Sequence, residues 1–180
     1  MSFRKKTTQE LQRTESESQK FPFVLLLDQV RSGQNVGSLF RSADAFGADH
    51  IHLCGITVQP PHREILKTAL GATQTVAWTY HETSIEAINT VKGMGYSVYA
   101  LEQAHDSTSL DEWSWSMETR GVALIVGNEV KGVDQKLLEH CDGVLEITQV
   151  GQKHSLNVAV SAGIAMHHIF QTFAARESQK

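Results

Sequence analysis

The sequence predicts an α/β fold with a mainly parallel sheet and helices on both faces. Two observations lead to this class. Short continuous apolar runs occur at residues 23–27 and 122–126, as expected for strands buried on both faces of a parallel sheet. Segments with helical spacing lie between such runs, so strands and helices alternate. The 180 residues are enough for one compact domain, which we place at 21–180 after a polar tail at 1–20.

Each apolar or periodic segment predicts one element. The first strand is followed by a helix in which Val36, Leu39 and Phe40 fall at helical spacing. Asn35 is its predicted N-cap and Gly47 its C-terminal stop. The further predicted strands are 50–53, 75–78, 97–101, 122–126 and 144–147, and the further predicted helices are 84–92, 134–141 and 156–175.

Charge and composition restrict the function. The net charge of −4 disfavours nucleic-acid binding over the whole surface, although a local basic patch can still neutralise phosphates. The tail at 1–20 is net positive, and it is predicted to be flexible or a short helix. It is either a basic arm that contacts RNA or a solvated terminus. The absence of a run of about 18 apolar residues predicts no membrane span, and the absence of a signal-type segment predicts a cytoplasmic protein.

The cysteines and histidines predict no metal centre. Cys54 and Cys141 are far apart in the sequence, so we expect two reduced thiols. The nine histidines are scattered, and no HExxH or CxxC motif accompanies them. No GxGxxG follows a predicted strand, which disfavours a dinucleotide-binding fold.

Ligands of open parallel sheets bind beyond the carboxyl ends of the strands. The first loop there, residues 28–35, leads into a helix carrying Gly37 and Arg41. These two are four residues apart and share one face, predicted to lie opposite the apolar stripe. A glycine one turn before an arginine leaves room for a substrate that the guanidinium can hold. The alternative is an ordinary solvated arginine.

Two further loops have the same position in the pattern. Residues 127–132 carry two glycines around polar residues, which suits a backbone wrapped closely around a small ligand, or a plain strand-to-helix turn. Residues 148–157 precede the last helix, where Ser155 or Asn157 can cap it. The helix amides there attract an anion, unless capping is the only role.

The three loops together resemble one family. Residues 35–41 are similar to an N-x-G-x-x-x-R segment, 125–132 to a G-x-E-x-x-G loop, and 155–160 to an S-L-N-V-x-x element. In this order, over residues 23–170, they resemble the SpoU (TrmH-like) branch of the SPOUT methyltransferases.

The resemblance implies a SPOUT fold with a deep trefoil knot at its C-terminal end. It also implies transfer of a methyl group from S-adenosylmethionine to a ribose 2′-hydroxyl of RNA by a homodimer. We expect tRNA as the substrate and ribosomal RNA as the alternative. The implied cofactor contacts, largely through backbone, are Leu101, Gly127, Asn128, Gly132, Ile147 and Leu156.

The resemblance also assigns catalytic roles. Arg41 would lie at the ribose 2′-hydroxyl. Because a guanidinium stays protonated in proteins, electrostatic positioning of phosphate and of the developing alkoxide is easier than proton abstraction. Asn35 would orient Arg41 or the ribose, and Ser155 joins this catalytic set. Glu129, Asn157 and Gly37 would order the loops or contact RNA. The alternatives are a silent RNA-binding protein of the same fold and an α/β enzyme acting on an unrelated nucleotide.

Overall fold

A seven-stranded parallel sheet forms the centre of the molecule in the computed structural model, which describes residues 4–11, 19–116 and 118–178. The strand order is β3-β2-β1-β6-β4-β7-β5. All pairings between neighbouring strands are parallel. The strands are β1 (Phe21–Asp28), β2 (Ala48–Cys54), β3 (Ala77–His81), β4 (Tyr96–Leu101), β5 (Thr108–Ser109), β6 (Gly121–Val126) and β7 (Gly143–Glu146).

Helices cover both faces of the sheet, which confirms the predicted class. One apolar cluster joins the sheet to α2, α3 and α7, and the other joins it to α5 and α6. Neighbouring strand residues such as Leu25 and Leu26 belong to opposite clusters, and both are fully buried. The helices are α1 (Thr8–Leu11), α2 (Gly33–Ala45), α3 (Arg63–Ala69), α4 (Ala72–Thr75), α5 (Ser84–Gly93), α6 (Gln135–Leu138) and α7 (Val158–Glu177).

Most predicted elements are present, and the differences lie between residues 63 and 141. The predicted strand at 75–78 is wrong in its first residues, since α4 ends at Thr75 and β3 begins only at Ala77. A short apolar run does not distinguish a helix from a strand. The predicted helix at 134–141 has its Asp134 cap but ends at Leu138. Helix α3 and the two-residue strand β5 were not predicted.

Helix α2 begins earlier than predicted. Its N-cap is Ser32, whose side chain accepts a hydrogen bond from the Asn35 backbone N–H at 3.3 Å. Asn35 as the N-cap is therefore wrong, and its side chain is available for contacts outside the helix. Gly47 is confirmed as the stop, because it follows the helix with a positive φ of 69°.

Gly37 has a different role from the one predicted. It is buried, and a Cβ built on it would lie 3.0 Å from the Ala69 backbone nitrogen and would also overlap Thr68 and the Ile65 carbonyl. The space beside Gly37 is thus filled by α3. The interpretation that this glycine leaves room for a substrate is wrong, as is its placement opposite the buried stripe.

The chain enters the sheet at the amino edge. The Lys20 ammonium donates to the carbonyls of Ala48 at 3.0 Å and Thr75 at 3.3 Å, so this cation belongs to the body of the protein. Residues 8–11 form the short helix α1. Arg13 lies outside the described residues. Contact of the tail with RNA stays a prediction.

Among the described helices, α7 is long and apolar enough to cross a bilayer by length and mean hydropathy alone. The lack of an uninterrupted apolar run had predicted no such segment. Core helices pass the same test, and α7 sends four residues into the core beside α2. We therefore interpret it as a helix of the fold.

Candidate active site

A cavity of about 310 Å³ opens at the carboxyl edge of the sheet, between the loops that follow β4, β6 and β7. These strands are neighbours and parallel, so their carboxyl ends meet at one place. All six residues predicted to contact a cofactor line this cavity, together with Ser155 and Glu129. The six are Leu101, Gly127, Asn128, Gly132, Ile147 and Leu156.

The loop after β6 is a tight turn closed by its own backbone. Asn128 and Gly132 exchange two backbone hydrogen bonds, of 3.0 and 2.9 Å. The Asn128 side chain accepts from the N–H groups of Val130 at 3.0 Å and Lys131 at 3.1 Å. Gly132 has a positive φ of 68°, and a side chain on Gly127 would overlap the Gly132 backbone. Both glycines are therefore required by the turn.

Glu129 connects this turn to the loop after β1. Its carboxylate accepts hydrogen bonds from the backbone N–H groups of Ser32 at 2.9 Å and Arg31 at 3.2 Å, and from the Asn35 side-chain amide at 3.0 Å. Burial by itself would raise the pKa of Glu129, but these hydrogen bonds outweigh it and lower the pKa below its ordinary value. The side chain is consequently a carboxylate at neutral pH.

Asn35 extends the connection to the loop after β7. Its side-chain oxygen accepts a hydrogen bond from the Asn157 amide at 3.1 Å. The Asn157 oxygen accepts in turn from the N–H groups of Ala159 at 2.9 Å and Val160 at 3.3 Å, which caps α7. The chain Glu129–Asn35–Asn157, here called the amide network, thus joins all three loops picked out in the sequence.

Arg41 does not reach the cavity within one chain. It is exposed, and it lies between Gly37 and Asp44 on the side of α2 that faces α3 and α4. Six residues separate it from Asn35, a distance of about 9 Å along a helix axis. The cavity lining includes Ser155 but neither Arg41 nor Asn35. One chain therefore brings together most of the predicted site residues, but it holds Arg41 away from Ser155 and the cavity.

Several residues that line the cavity were not predicted, and Glu102 and Gln103 among them make specific contacts. The Glu102 carboxylate accepts hydrogen bonds from the N–H groups of Val133 and Gln103, both at 2.9 Å. The Gln103 side chain donates to the His154 carbonyl at 2.8 Å. These contacts hold the loops after β6 and β7 against the end of β4. The signal available in the sequence was position, since both residues directly follow a predicted strand.

The fold and the cavity define an α/β protein whose ligand site is built by loops at the carboxyl edge of a parallel sheet. The model of the SpoU rRNA Methylase family matches residues 22–167. The chain belongs to this family, as the resemblance of its three loops had implied.

Two relatives of this chain are likewise named as RNA methyltransferases. The 23S rRNA (guanosine(2553)-2′-O)-methyltransferase RlmP of Bacillus subtilis (strain 168) is 34% identical over 148 residues, covering 81% of this chain and 57% of that protein. An uncharacterized tRNA/rRNA methyltransferase of Borreliella burgdorferi is 32% identical over 147 residues, covering 82% and 63%. This chain thus spans less than two thirds of the length of these relatives.

The solved structures that are similar to this chain include the following two. An AdoMet-bound rRNA methyltransferase from Sinorhizobium meliloti superposes with a TM-score of 0.76 at 28% identity, covering 84% of this chain and 56% of that one. A structure described as giving insights into the 2-OH methylation of C/U34 on tRNA superposes with a TM-score of 0.74 at 25% identity. That match covers 85% of this chain and 97% of the other.

Proposed function

We propose that this chain transfers a methyl group from S-adenosylmethionine to a ribose 2′-hydroxyl of RNA. The observation that carries the proposal is the cavity at the carboxyl edge, joined by the amide network to the helix that holds Arg41. Transfer RNA is the first candidate substrate, because the structure described for tRNA methylation matches this chain over 97% of its own length. Ribosomal RNA is the second, favoured by the 34% identity to an rRNA enzyme.

The cavity suits a ligand such as S-adenosylmethionine in size and chemistry. Its volume of about 310 Å³ is at the lower end of the range of small-molecule sites, about 300–1,000 Å³. Leu101, Ile147 and Leu156 offer apolar surface for a base, and the polar backbone of 127–132 offers hydrogen bonds. When bound, the cofactor supplies an electrophilic methyl group.

The residues of the chain would bind and orient the other reactant. A 2′-hydroxyl gives its proton to solvent water as its oxygen attacks, so negative charge develops on that oxygen. The Arg41 guanidinium would stabilise this charge and hold the adjacent phosphate, without accepting the proton. Ser155 lines the cavity and would position the ribose. Glu129 would stay ionised and keep the first and second loops together.

We propose a homodimer, because Arg41 does not reach the cavity of its own chain. Helix α7 exposes the apolar residues Val160, Ile164 and Phe170 next to α2, with exposed fractions of 51%, 43% and 36%. Pairing of these faces between two copies would cover this apolar surface and could bring Arg41 of one subunit to the cavity of the other.

The C-terminal trefoil knot is also part of the proposal. Strand β7 lies between β4 and β5, and the loop after β4 is hydrogen-bonded to the loop after β7 through Gln103 and His154. Helix α7 then packs against α2 and β4. This interleaving of the loops is compatible with a chain end passed through an earlier loop.

The first experiment measures cofactor binding without RNA. Since the cavity belongs to one chain, we expect isothermal titration calorimetry to detect S-adenosylmethionine. At about 100 times the dissociation constant, the ligand should stabilise the fold by roughly 2.7 kcal/mol and raise the melting temperature. Absence of both calorimetric binding and a melting shift would contradict the proposal.

The second experiment replaces Arg41 with alanine. Loss of one preorganised charge-stabilising group costs about 10²–10³ in rate, so we expect methyl transfer to fall by this factor with normal cofactor affinity. Arg120→Ala, an exposed arginine at the amino edge of the sheet, is the matched control. Wild-type turnover by Arg41→Ala would remove its catalytic role.

Mapping ribose methylation of tRNA and rRNA in a deletion strain would decide between the substrates.

A further inference from the structure

Exposed basic side chains flank the cavity on the side of β1 and β2. Arg31 belongs to the loop after β1, and His62, Arg63 and Lys67 follow β2, at the start of α3 and along it. We call these four residues the basic flank. Because β2 is parallel to β1 and next to it, the loop after β2 stands at the same edge as the cavity.

The loop that carries the flank is held firmly to the loop after β1. The Val58 N–H donates to the Val30 carbonyl at 3.3 Å, and the Val30 N–H donates to the Thr57 hydroxyl at 3.0 Å. The Ile56 N–H donates to the Gln29 side chain at 3.1 Å. Thr57 is buried, which protects its bond with the Val30 N–H from water. The basic side chains therefore extend from a defined backbone.

The flank also directly adjoins the amide network. A Cβ built on Gly33 would lie 3.0 Å from the His62 ring nitrogen and 3.0 Å from the Glu64 Cβ, so the start of α3 packs on the first residue of α2. The preceding residue, Ser32, donates its N–H to Glu129 at 2.9 Å. The basic flank and the amide network therefore meet at Ser32 and Gly33.

The arginine and lysine side chains of the flank are available for a ligand. In the described part of the chain, no carboxylate forms an ion pair with Arg31, Arg63 or Lys67. Glu64 is the one acidic residue between the last two in the sequence. The flank is consequently net positive in a chain of net charge −4.

The other side of the cavity has the opposite charge. A second cavity of about 840 Å³ adjoins the first across Glu102 and is lined by carboxylates at Glu102, Asp106, Asp134 and Glu139, against the basic residues Lys131 and His105. A polyanion that approaches the first cavity is repelled from this side and attracted to the basic flank. The charge asymmetry therefore selects one direction of approach.

We propose that RNA lies across the basic flank, so that phosphates next to the methylated ribose contact Arg31, His62, Arg63 and Lys67. This inference rests on the proposed function and adds to it the surface that binds the substrate. Phosphate contacts supply affinity and register without reading sequence. The flank thereby allows an acidic protein to bind RNA beside its cofactor cavity.

The test uses the double variant Arg63→Gln/Lys67→Gln in the full chain, with a pool of unmodified tRNA transcripts as the probe. Binding is measured by fluorescence anisotropy over a range of salt concentrations. Each lost phosphate contact should reduce the slope of log affinity against log salt by about 0.7–0.9. The affinity for S-adenosylmethionine and the melting temperature should stay at the wild-type values.

Arg120→Gln/Lys136→Gln is the matched control, since it removes the same charge at exposed positions away from the flank. We expect its RNA affinity and salt slope to equal those of the wild type. The inference is overturned if the flank variant binds RNA with wild-type affinity and slope, or if the control loses as much as the flank variant. A wild-type chain that binds cofactor but neither the tRNA pool nor ribosomal RNA would overturn the proposed function as well, which distinguishes the two failures.

Discussion

At the scale of single residues, three histidines outside the active site form a cluster on the sheet. His50 and His52 lie on one face of β2, and the His52 ring nitrogen is 2.9 Å from that of His81 on β3. Burial lowers the pKa of His52 to about 3, with smaller contributions from the charges of His50 and His81. His52 is therefore neutral in the folded protein wherever an exposed histidine would begin to titrate.

This shift predicts a pH dependence of stability. Between the unfolded pKa of 6.5 and the folded value of about 3, the unfolded chain binds a proton at His52 that the folded chain does not. As far as His52 affects it, the free energy of unfolding is highest above pH 6.5. It decreases as the pH falls below that value, by up to about 1.4 kcal/mol per pH unit. Urea unfolding between about pH 7.5 and 4.5 measures it.

The control for this prediction compares slopes rather than stabilities, because other groups titrate in the same range. His52→Gln should lower the slope of unfolding free energy against pH. Glutamine is the replacement because it is polar and does not bind a proton in this pH range. Equal slopes in wild type and His52→Gln would contradict the assignment.

At the scale of elements, the packing of α3 on α2 places the basic flank. Gly37 allows this contact, because its missing side chain leaves room for Thr68 and for the backbone at Ile65 and Ala69. The Thr68 hydroxyl also donates to the Gln34 carbonyl at 3.1 Å. The two helices therefore touch through backbone as well as side chains. A methyl group added at Gly37 would push them apart.

We expect Gly37→Ala to destabilise the protein by about 1–3 kcal/mol, the usual cost of overpacking. It should also weaken RNA binding, because α3 moves with Arg63 and Lys67. Gly93→Ala is the control: it too is a helical glycine, but no heavy atom lies within 4 Å of the added Cβ. Its higher helix propensity should leave stability unchanged or raise it by up to about 1 kcal/mol. A neutral Gly37→Ala in denaturant unfolding would refute the packing argument.

At the scale of the whole molecule, one chain keeps Arg41 apart from the cavity of the proposed site. The cavity is formed by loops of the β6, β4 and β7 region, whereas Arg41 lies about two turns along α2, on the side facing α3. Helix α7 packs on α2 and exposes apolar residues to the outside. The proposed second copy at this surface would account for both features together.

We expect Ile164→Glu to produce a monomer, because a charge in a buried apolar interface is costly without a partner. Sedimentation or light scattering measures the mass, and methyl transfer should fall while cofactor binding persists. Met94→Glu, with 46% exposure at the end of α5, is the control and should keep the wild-type mass. A wild-type chain that is monomeric at the concentrations of the activity assay would exclude the dimer.

The features predictable from the sequence were those governed by neighbouring residues. The apolar runs at 23–27 and 122–126 predicted β1 and β6, because strands buried on both faces need no polar alternation. Asp134 was identified as a helix cap from its local pattern. The six predicted cofactor residues were identified through the resemblance to the family. That resemblance indicates which residues form the site, but it does not show which contacts bring them together.

Only the tertiary structure decided which distant groups meet. Asn35 contacts Glu129 across 94 residues and Asn157 across 122, and these pairs depend on the order of strands in the sheet. Gly37 was predicted to face a substrate because helical spacing shows which residues share a face. The spacing does not show what packs against that face. The sequence alone determined the class of fold and the loops of the candidate site, since hydrophobic period and turn residues act locally. The structure determined their partners, because long-range contacts follow from how the whole sheet is assembled.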